Sequence, residues 1–280
     1  KYKLKDITPS LVRSVLRKID KPRVKEYCYV IINAIMQQAF LEDLILKNPC
    51  LPIKRPKHKP QITALITEEE FEALMFHAKG TQYEGIFRLA YDSGMRRSEI
   101  AALKWKDIDF QKGTIKLRHA IKFDRHAADD KFSIGKPKSE NGIRELDLTN
   151  ASEIALKKQF EKQKKLYADH NRILSLNDFV FASTFSSKFG DIMEPDSITH
   201  GFVKLKKAAG IKSHITFKSF RHTLLTTLGE SNDIPVKAIQ AHAGHSNAAF
   251  TLNRYIHRTP KMEAQIVDFL NNREEKGKKN

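Results

Sequence analysis

The chain runs to 280 residues and 32.2 kDa, 40% apolar and 30% charged, enough for about two domains at roughly 150 residues each. Its 50 Lys and Arg outnumber 33 Asp and Glu, giving a net charge of +17 and an isoelectric point near 9.7, which points to polyanionic partners such as nucleic acid. Two cysteines, Cys28 and Cys50, cannot make a disulfide framework or a CxxC zinc knuckle, and the apolar stretch Tyr27–Met36, broken by Asn33, is far shorter than the about 20 residues of a membrane helix. Lys1–Asp6 lacks the apolar core of a signal peptide, so the expected setting is the cytoplasm with no membrane contact. Residue 1 is Lys rather than Met, which reads as a segment cut from a longer protein whose own N-terminus is missing.

Charge is concentrated at the front: residues 1–60 carry +9 and the other 220 residues +8. Pro9 after Thr8 predicts a helix start, with Leu11, Val12, Val15, Leu16 and Ile19 at helical spacing. A second helix is predicted from about Pro22 to Leu46, stopped by Asn48-Pro49, with Val24, Tyr27, Val30, Ile31, Ala34, Ile35, Gln38 and Leu41 as its core-facing stripe. These helices make a domain over 1–52. The basic, proline-punctuated stretch that follows reads as a linker over 53–61.

The next domain is expected over 62–270, with a polar tail over 271–280. Thr67 and Glu70 have capping-box spacing ahead of Phe71, Leu74, Met75 and Ala78. A helix over Glu84–Asp92 should end at Gly94 in a left-handed cap, and Arg97–Leu103 restarts helical. The period then drops to two in Thr114–Arg118 and Arg144–Leu148, with Phe132–Lys136 as a weaker third strand and Lys138–Gly142 as hairpin-turn chemistry between the last two. Trp105 reads as a core residue. Helical patterns return over Ile154–Tyr167, Ser197–Ala209, Ser219–Leu228, Val236–Ala241 and Lys261–Asn271. The fold class is therefore mostly α, with a small three-stranded antiparallel sheet.

Three segments carry chemistry. They are Asp92-Ser93-Gly94-Met95-Arg96-Arg97-Ser98-Glu99, then Phe217-Lys218-Ser219-Phe220-Arg221-His222, then Ala243-Gly244-His245 with Tyr255 ten residues after the histidine. In this order and spacing they resemble the tyrosine recombinases of the phage-integrase family, most of all the integrases of phages and integrative conjugative elements. The resemblance covers about Ile62 to Leu270 and, more loosely, the helical domain before it.

A DNA phosphodiester repels nucleophiles through its anionic oxygens, and planar guanidinium groups neutralise them bidentately at any working pH. The resemblance assigns Arg96 and Arg221 to that role, Arg96 rather than Arg97 because the family arginine is the second residue after the glycine. Glu99 would orient an arginine. Tyr255 would be the nucleophile of a 3′-phosphotyrosyl intermediate, and its unperturbed pKa of about 10 requires help to lose its proton. A lysine of the β-hairpin would protonate the leaving 5′-oxygen; Lys138 occupies the turn, with Lys136 two residues away as the alternative. Where the family usually has histidine, three residues before the second arginine, this chain has Lys218. Burial beside the two arginines would depress its pKa and make it a base; otherwise it is a third cation on the phosphate. His245 matches a later His or Trp position and should hydrogen-bond the phosphate or brace Tyr255. His222 reads as a packed supporting residue. His242 and His245 lack a third ligand at metal spacing, so no metal is expected, nor any cofactor.

The resemblance further implies a helical domain that grips double-stranded DNA, closure of both domains around the duplex, a homotetramer on paired sites and a Holliday-junction intermediate. The apolar face of Lys261–Leu270 (Met262, Ile266, Val267, Leu270) would dock on a neighbouring protomer, and accessory DNA-bending or excision factors are conceivable partners. The alternatives are a type IB topoisomerase-like relaxing enzyme and a catalytically silent DNA-binding regulator.

Overall fold

The computed structural model describes residues 2–58, 64–124, 126, 131–137, 140–231 and 233–246. The chain divides into two compact units, residues 1–62 and 63–280.

In the first unit, α1 (Pro9–Arg17) starts as predicted, Thr8 Oγ1 accepting from the Leu11 amide at 3.2 Å. The second helix, α2, spans Pro22–Leu41 and stops five residues short of the expected end. Asp43 turns left-handed at φ 55°, and the Leu44 amide bonds back to the Ala39 carbonyl at 2.9 Å, closing the last turn. The apolar run beyond it is not helix, and Leu46 is 98% exposed.

The stripe expected to face the core also proves wrong. Val24, Tyr27, Val30, Ile31, Ile35 and Leu41 are exposed, Tyr27 by 65%, while Tyr29, Met36 and Ala39 are buried. Tyr29 and Met36 pack with Val12, Leu16 and Cys50. The Tyr29 hydroxyl decides the register by donating to the carbonyls of Cys50 and Ile53 at 3.3 and 3.0 Å. Buried Asn48 ties the following loop to α2 through Asn33 and Gln37, both at 3.0 Å. The basic stretch after it is fastened as far as His58: Glu26 of α2 takes Arg55 at 2.9 Å and also the His58 ring.

The second unit is built around α4 (Tyr83–Ser93), which packs on α3 (Glu68–Ala78), α6 (Asn150–Asp169), α7 (Pro195–Ala208) and α8 (Phe217–Glu230). The Thr67–Glu70 capping box forms at the head of α3. Phe87, Phe202, Phe217 and Phe220 meet at ring separations of 5.3 to 6.4 Å and fill the centre. Trp105 is core, its Nε1 donating to Gln163 Oε1 at 3.0 Å. Short α5 (Arg97–Ala102) follows Gly94, and α9 (Val236–Ala243) ends at Gly244.

A three-stranded antiparallel sheet is present, but its members differ from the expected set. It runs β1 (Ile108–Asp109), β2 (Thr114–Leu117), β5 (Arg144–Asp147) in spatial order. The expected strand over Phe132–Lys136 is instead β4 (Phe132–Gly135), paired with β3 (Ala120–Phe123) in a separate two-stranded ribbon. The segment between β4 and β5 therefore joins two sheets and is not a hairpin turn.

Candidate active site

Two helix ends make the site. Gly94 ends α4 at φ 62° and Gly244 ends α9 at φ 63°, each turning the chain sharply so that a functional residue follows the cap. Helix C-termini leave carbonyls unpaired and carry partial negative charge, so they attract guanidinium groups. Arg221, one turn into α8 and anchored there by buried Phe217 and Phe220, donates Nη1 to the Gly94 carbonyl at 2.9 Å and Nη2 to the Ala243 carbonyl. The same Nη2 lies 2.9 Å from His245 Nε2. A guanidinium nitrogen only donates, so His245 Nε2 is the acceptor and the ring proton sits on Nδ1.

Burial, reinforced by the charges of Arg221, Arg96 and Arg144, pushes the His245 pKa down to about 4, so the ring is neutral at physiological pH. Its backbone carbonyl accepts from Asn141 Nδ2 and Gln240 Nε2 at 3.2 and 3.1 Å, fixing the turn. Neighbouring His242 points elsewhere, Nε2 donating to the Ser93 carbonyl at 3.0 Å, so the two histidines do not form a ligand pair.

Arg96 and Arg97 separate cleanly. Arg97 reaches Asp196 and Thr199 on α7, both at 2.7 Å. Arg96 turns the other way, held by Glu99 through Nη1 at 2.7 Å, while the Glu99 carboxylate also takes the Arg96 amide at 2.9 Å. Glu99 is buried; desolvation alone would raise its pKa, but Arg144 and then Arg96 outweigh this and hold it below the usual carboxylate range.

Arg96, Lys122, Lys136, Pro137, Gly244 and His245 line an open groove of about 1030 Å³. Lys218 lies on the exposed side of the first turn of α8, so the burial required by the base reading is not found. Lys138, Tyr255 and the Lys261–Leu270 segment lie outside the described residues, as does the tail over 271–280. Among the described residues, no group of three or more His, Cys, Asp or Glu could hold a metal ion, and no helix is long and apolar enough to cross a membrane.

Sequence reasoning passed over Arg144. In β5 it shares the buried phase with Leu146, and an arginine in a buried phase calls for partners, a signal that was present in the alternation. It also passed over the bracing of α6, where Asp92 accepts from Ser152 Oγ at 2.8 Å and from Thr149 Oγ1 at 2.5 Å.

A mostly helical unit with a small antiparallel sheet thus carries Arg96 and the neutral His245 on one groove, with Arg221 bonded to that histidine. Residues 64–262 match the phage integrase family, and the chain belongs to that family. It is 28% identical over 251 residues to a tyrosine recombinase XerC-like protein of Caldanaerobacter subterraneus subsp. tengcongensis, covering 86% of this chain and 63% of that protein. The transposase from transposon Tn916 of Enterococcus faecalis is also 28% identical, over 254 residues, covering 83% of this chain and 60% of the relative. The chain thus spans somewhat under two thirds of the length of these two relatives.

Among solved structures, the Tn1549 transposon integrase in complex with circular intermediate DNA superposes with a TM-score of 0.74 at 20% identity, over 95% of this chain and 86% of that one. A lambda integrase dimer bound to a COC′ core site gives 0.66 at 16% identity, over 93% and 83%. At these identities the likeness is one of fold.

Proposed function

We propose that the chain is a site-specific DNA recombinase that cuts and rejoins double-stranded DNA through a 3′-phosphotyrosyl intermediate. The observation that carries this reading is the Arg221–His245 pair at the edge of the groove that Arg96 lines. Two guanidinium groups converge there with a histidine that adds no charge, as an anionic phosphodiester requires.

Tyr255 Oη attacks phosphorus as its proton passes to solvent water, or to Lys218 in its amine form; the P–O5′ bond breaks, and the 5′-oxygen leaves with a proton from Lys138 or Lys136. Arg96 and Arg221 take up the charge that builds on the phosphoryl oxygens in the transition state. Where it does not take that proton, Lys218 is a third cation on the phosphate. The phosphotyrosyl bond conserves the energy of the cleaved bond, so attack by the 5′-hydroxyl of a partner strand reverses the step without ATP. The helical unit over 1–52 and the basic stretch over 53–61 grip the duplex backbone, contributing salt-dependent affinity rather than base readout. Strand exchange runs through a Holliday junction in a homotetramer joined by Lys261–Leu270, with accessory bending or excision factors as partners, on bacterial DNA in the cytoplasm.

The test is a library of nicked duplexes randomised around the nick, incubated with the protein in EDTA and resolved on a denaturing gel. A covalent adduct made by the wild type and absent with Tyr255→Phe is expected. DNA binding without any adduct would sink the recombinase reading in favour of a silent regulator, and relaxation of supercoils without a partner duplex would favour a topoisomerase. Deletion from Lys261 should abolish synapsis; unchanged synapsis and cleavage would refute the docking role of that segment.

A further inference from the structure

The Glu99 carboxylate serves two arginines of opposite character. Arg96, with a side chain 41% exposed, faces the groove, whereas Arg144, at 7%, is buried behind it. Arg144 grips both carboxylate oxygens, Nη1 to Oε1 at 3.2 Å and Nη2 to Oε2 at 3.1 Å. It also donates Nε to the His242 carbonyl at 2.8 Å and Nη1 to the Gly142 carbonyl at 3.1 Å. Glu99 alone would make Arg96 one half of a neutral ion pair, and a phosphate would have to compete with a buried carboxylate for that guanidinium. With Arg144 in place the trio keeps one net positive charge, in a partly desolvated setting where charge interactions are strong.

We propose that Arg144 is a positioning residue for phosphate binding and cleavage: it balances Glu99 so that Arg96 meets the phosphodiester with its charge uncompensated. The cleavage half of this inference rests on the recombinase reading; the phosphate-binding half does not. Glu99 in turn orients Arg96, so the pair supplies aim without loss of charge. The bonds to the His242 and Gly142 carbonyls also fix the Arg144 side chain between α9 and the turn before β5, which keeps the balancing charge in place.

Four proteins test this at a temperature below the thermal transition of every one: wild type, Arg144→Met, Arg144→Lys and Arg144→Met/Glu99→Gln. Adduct formation on the nicked library should fall about 100-fold in Arg144→Met, the scale for losing a preorganised charge at a reacting centre. Arg144→Lys keeps the charge and should stay within about tenfold of wild type, and the double variant should regain at least about tenfold over Arg144→Met, since the carboxylate it left unbalanced is gone. A purely architectural arginine predicts the opposite, Lys as poor as Met. That result, or a Met variant equal to wild type, overturns the proposal.

Inorganic phosphate binding, followed through the His245 ring resonances, is measured on the same proteins. Affinity lost in Arg144→Met and regained in Arg144→Lys and the double variant supports the charge balance even if the wild type forms no adduct. Unchanged affinity overturns it independently of the recombinase reading. Should Arg144→Met fail to fold, Arg144→Gln, which keeps a hydrogen-bond donor without the charge, replaces it in both assays with the same expected loss, and wild-type affinity in Arg144→Gln overturns the proposal.

Discussion

At the scale of single residues, His245 couples the site to acid stability. Its pKa falls from an ordinary 6.5 to about 4 on folding, because burial and three arginines disfavour the charged ring. Between those values the unfolded chain binds a proton that the folded one does not, so stability rises with pH across that window. The contribution is complete above about 6.5 and lost as pH falls towards 4, by roughly 3 kcal/mol over the window. Urea unfolding of wild type and His245→Gln at pH 7 and pH 4 checks this: the gap between them should shift against wild type at the lower pH. The adjacent arginines offer a second contrast. Arg97 pairs with Asp196 at the surface and its loss should leave adduct formation within about threefold, whereas Arg96→Ala should cost about 100-fold or more. Equal effects in a cleavage assay would contradict the division of labour between them.

At the scale of elements, the left-handed helix caps are what turn separate segments into one site. A Cβ on Gly244 would stand 2.7 Å from the Asn141 carbonyl oxygen and 3.0 Å from Arg144 Nη1, at a φ of 63° that already disfavours it. Gly244→Ala should therefore cost more than about 2 kcal/mol and impair cleavage as well. Gly113, at φ 65° with nothing within 4 Å of its Cβ position, is the control: its alanine variant should cost only about 1 kcal/mol and leave cleavage intact. Thermal unfolding and adduct rates of both variants check the pair.

Helix ends were legible because caps are local: Thr8 and Thr67 at helix starts and Gly94 at a helix end act within a turn of themselves. The face of α2 was not, because apolar residues lie on both sides of that helix and periodicity alone cannot choose between them. Strand partners were likewise hidden. A four-residue alternation shows which side chains share a face but not which neighbour completes the ladder, and β3 was the unread neighbour.

At the scale of the whole molecule, charge governs binding. Residues 1–60 carry +9 of the +17, so DNA affinity should fall steeply with salt, and a 64–280 fragment should show a distinctly shallower slope of log K against log salt. Titrations of both proteins on one duplex between 50 and 200 mM salt, a range over which about six to ten phosphate contacts would cost about 10³- to 10⁵-fold, measure the difference. Identical slopes would mean that the first unit does not track the phosphate backbone.

The sequence by itself determined the class of this protein. Arg96, Arg221 and His245 are each fixed by short local motifs, and a net charge needs no fold to be read. The tertiary structure decided how those residues act on one another. Arg221 meets His245 only because two helix ends, some 150 residues apart in sequence, place their carbonyls on either side of one guanidinium. Arg144 meets Glu99 only because β5 packs beside α5 and α9. A buried charge is tolerated where its partners are, and partners that distant in the chain are brought together by packing, not by spacing.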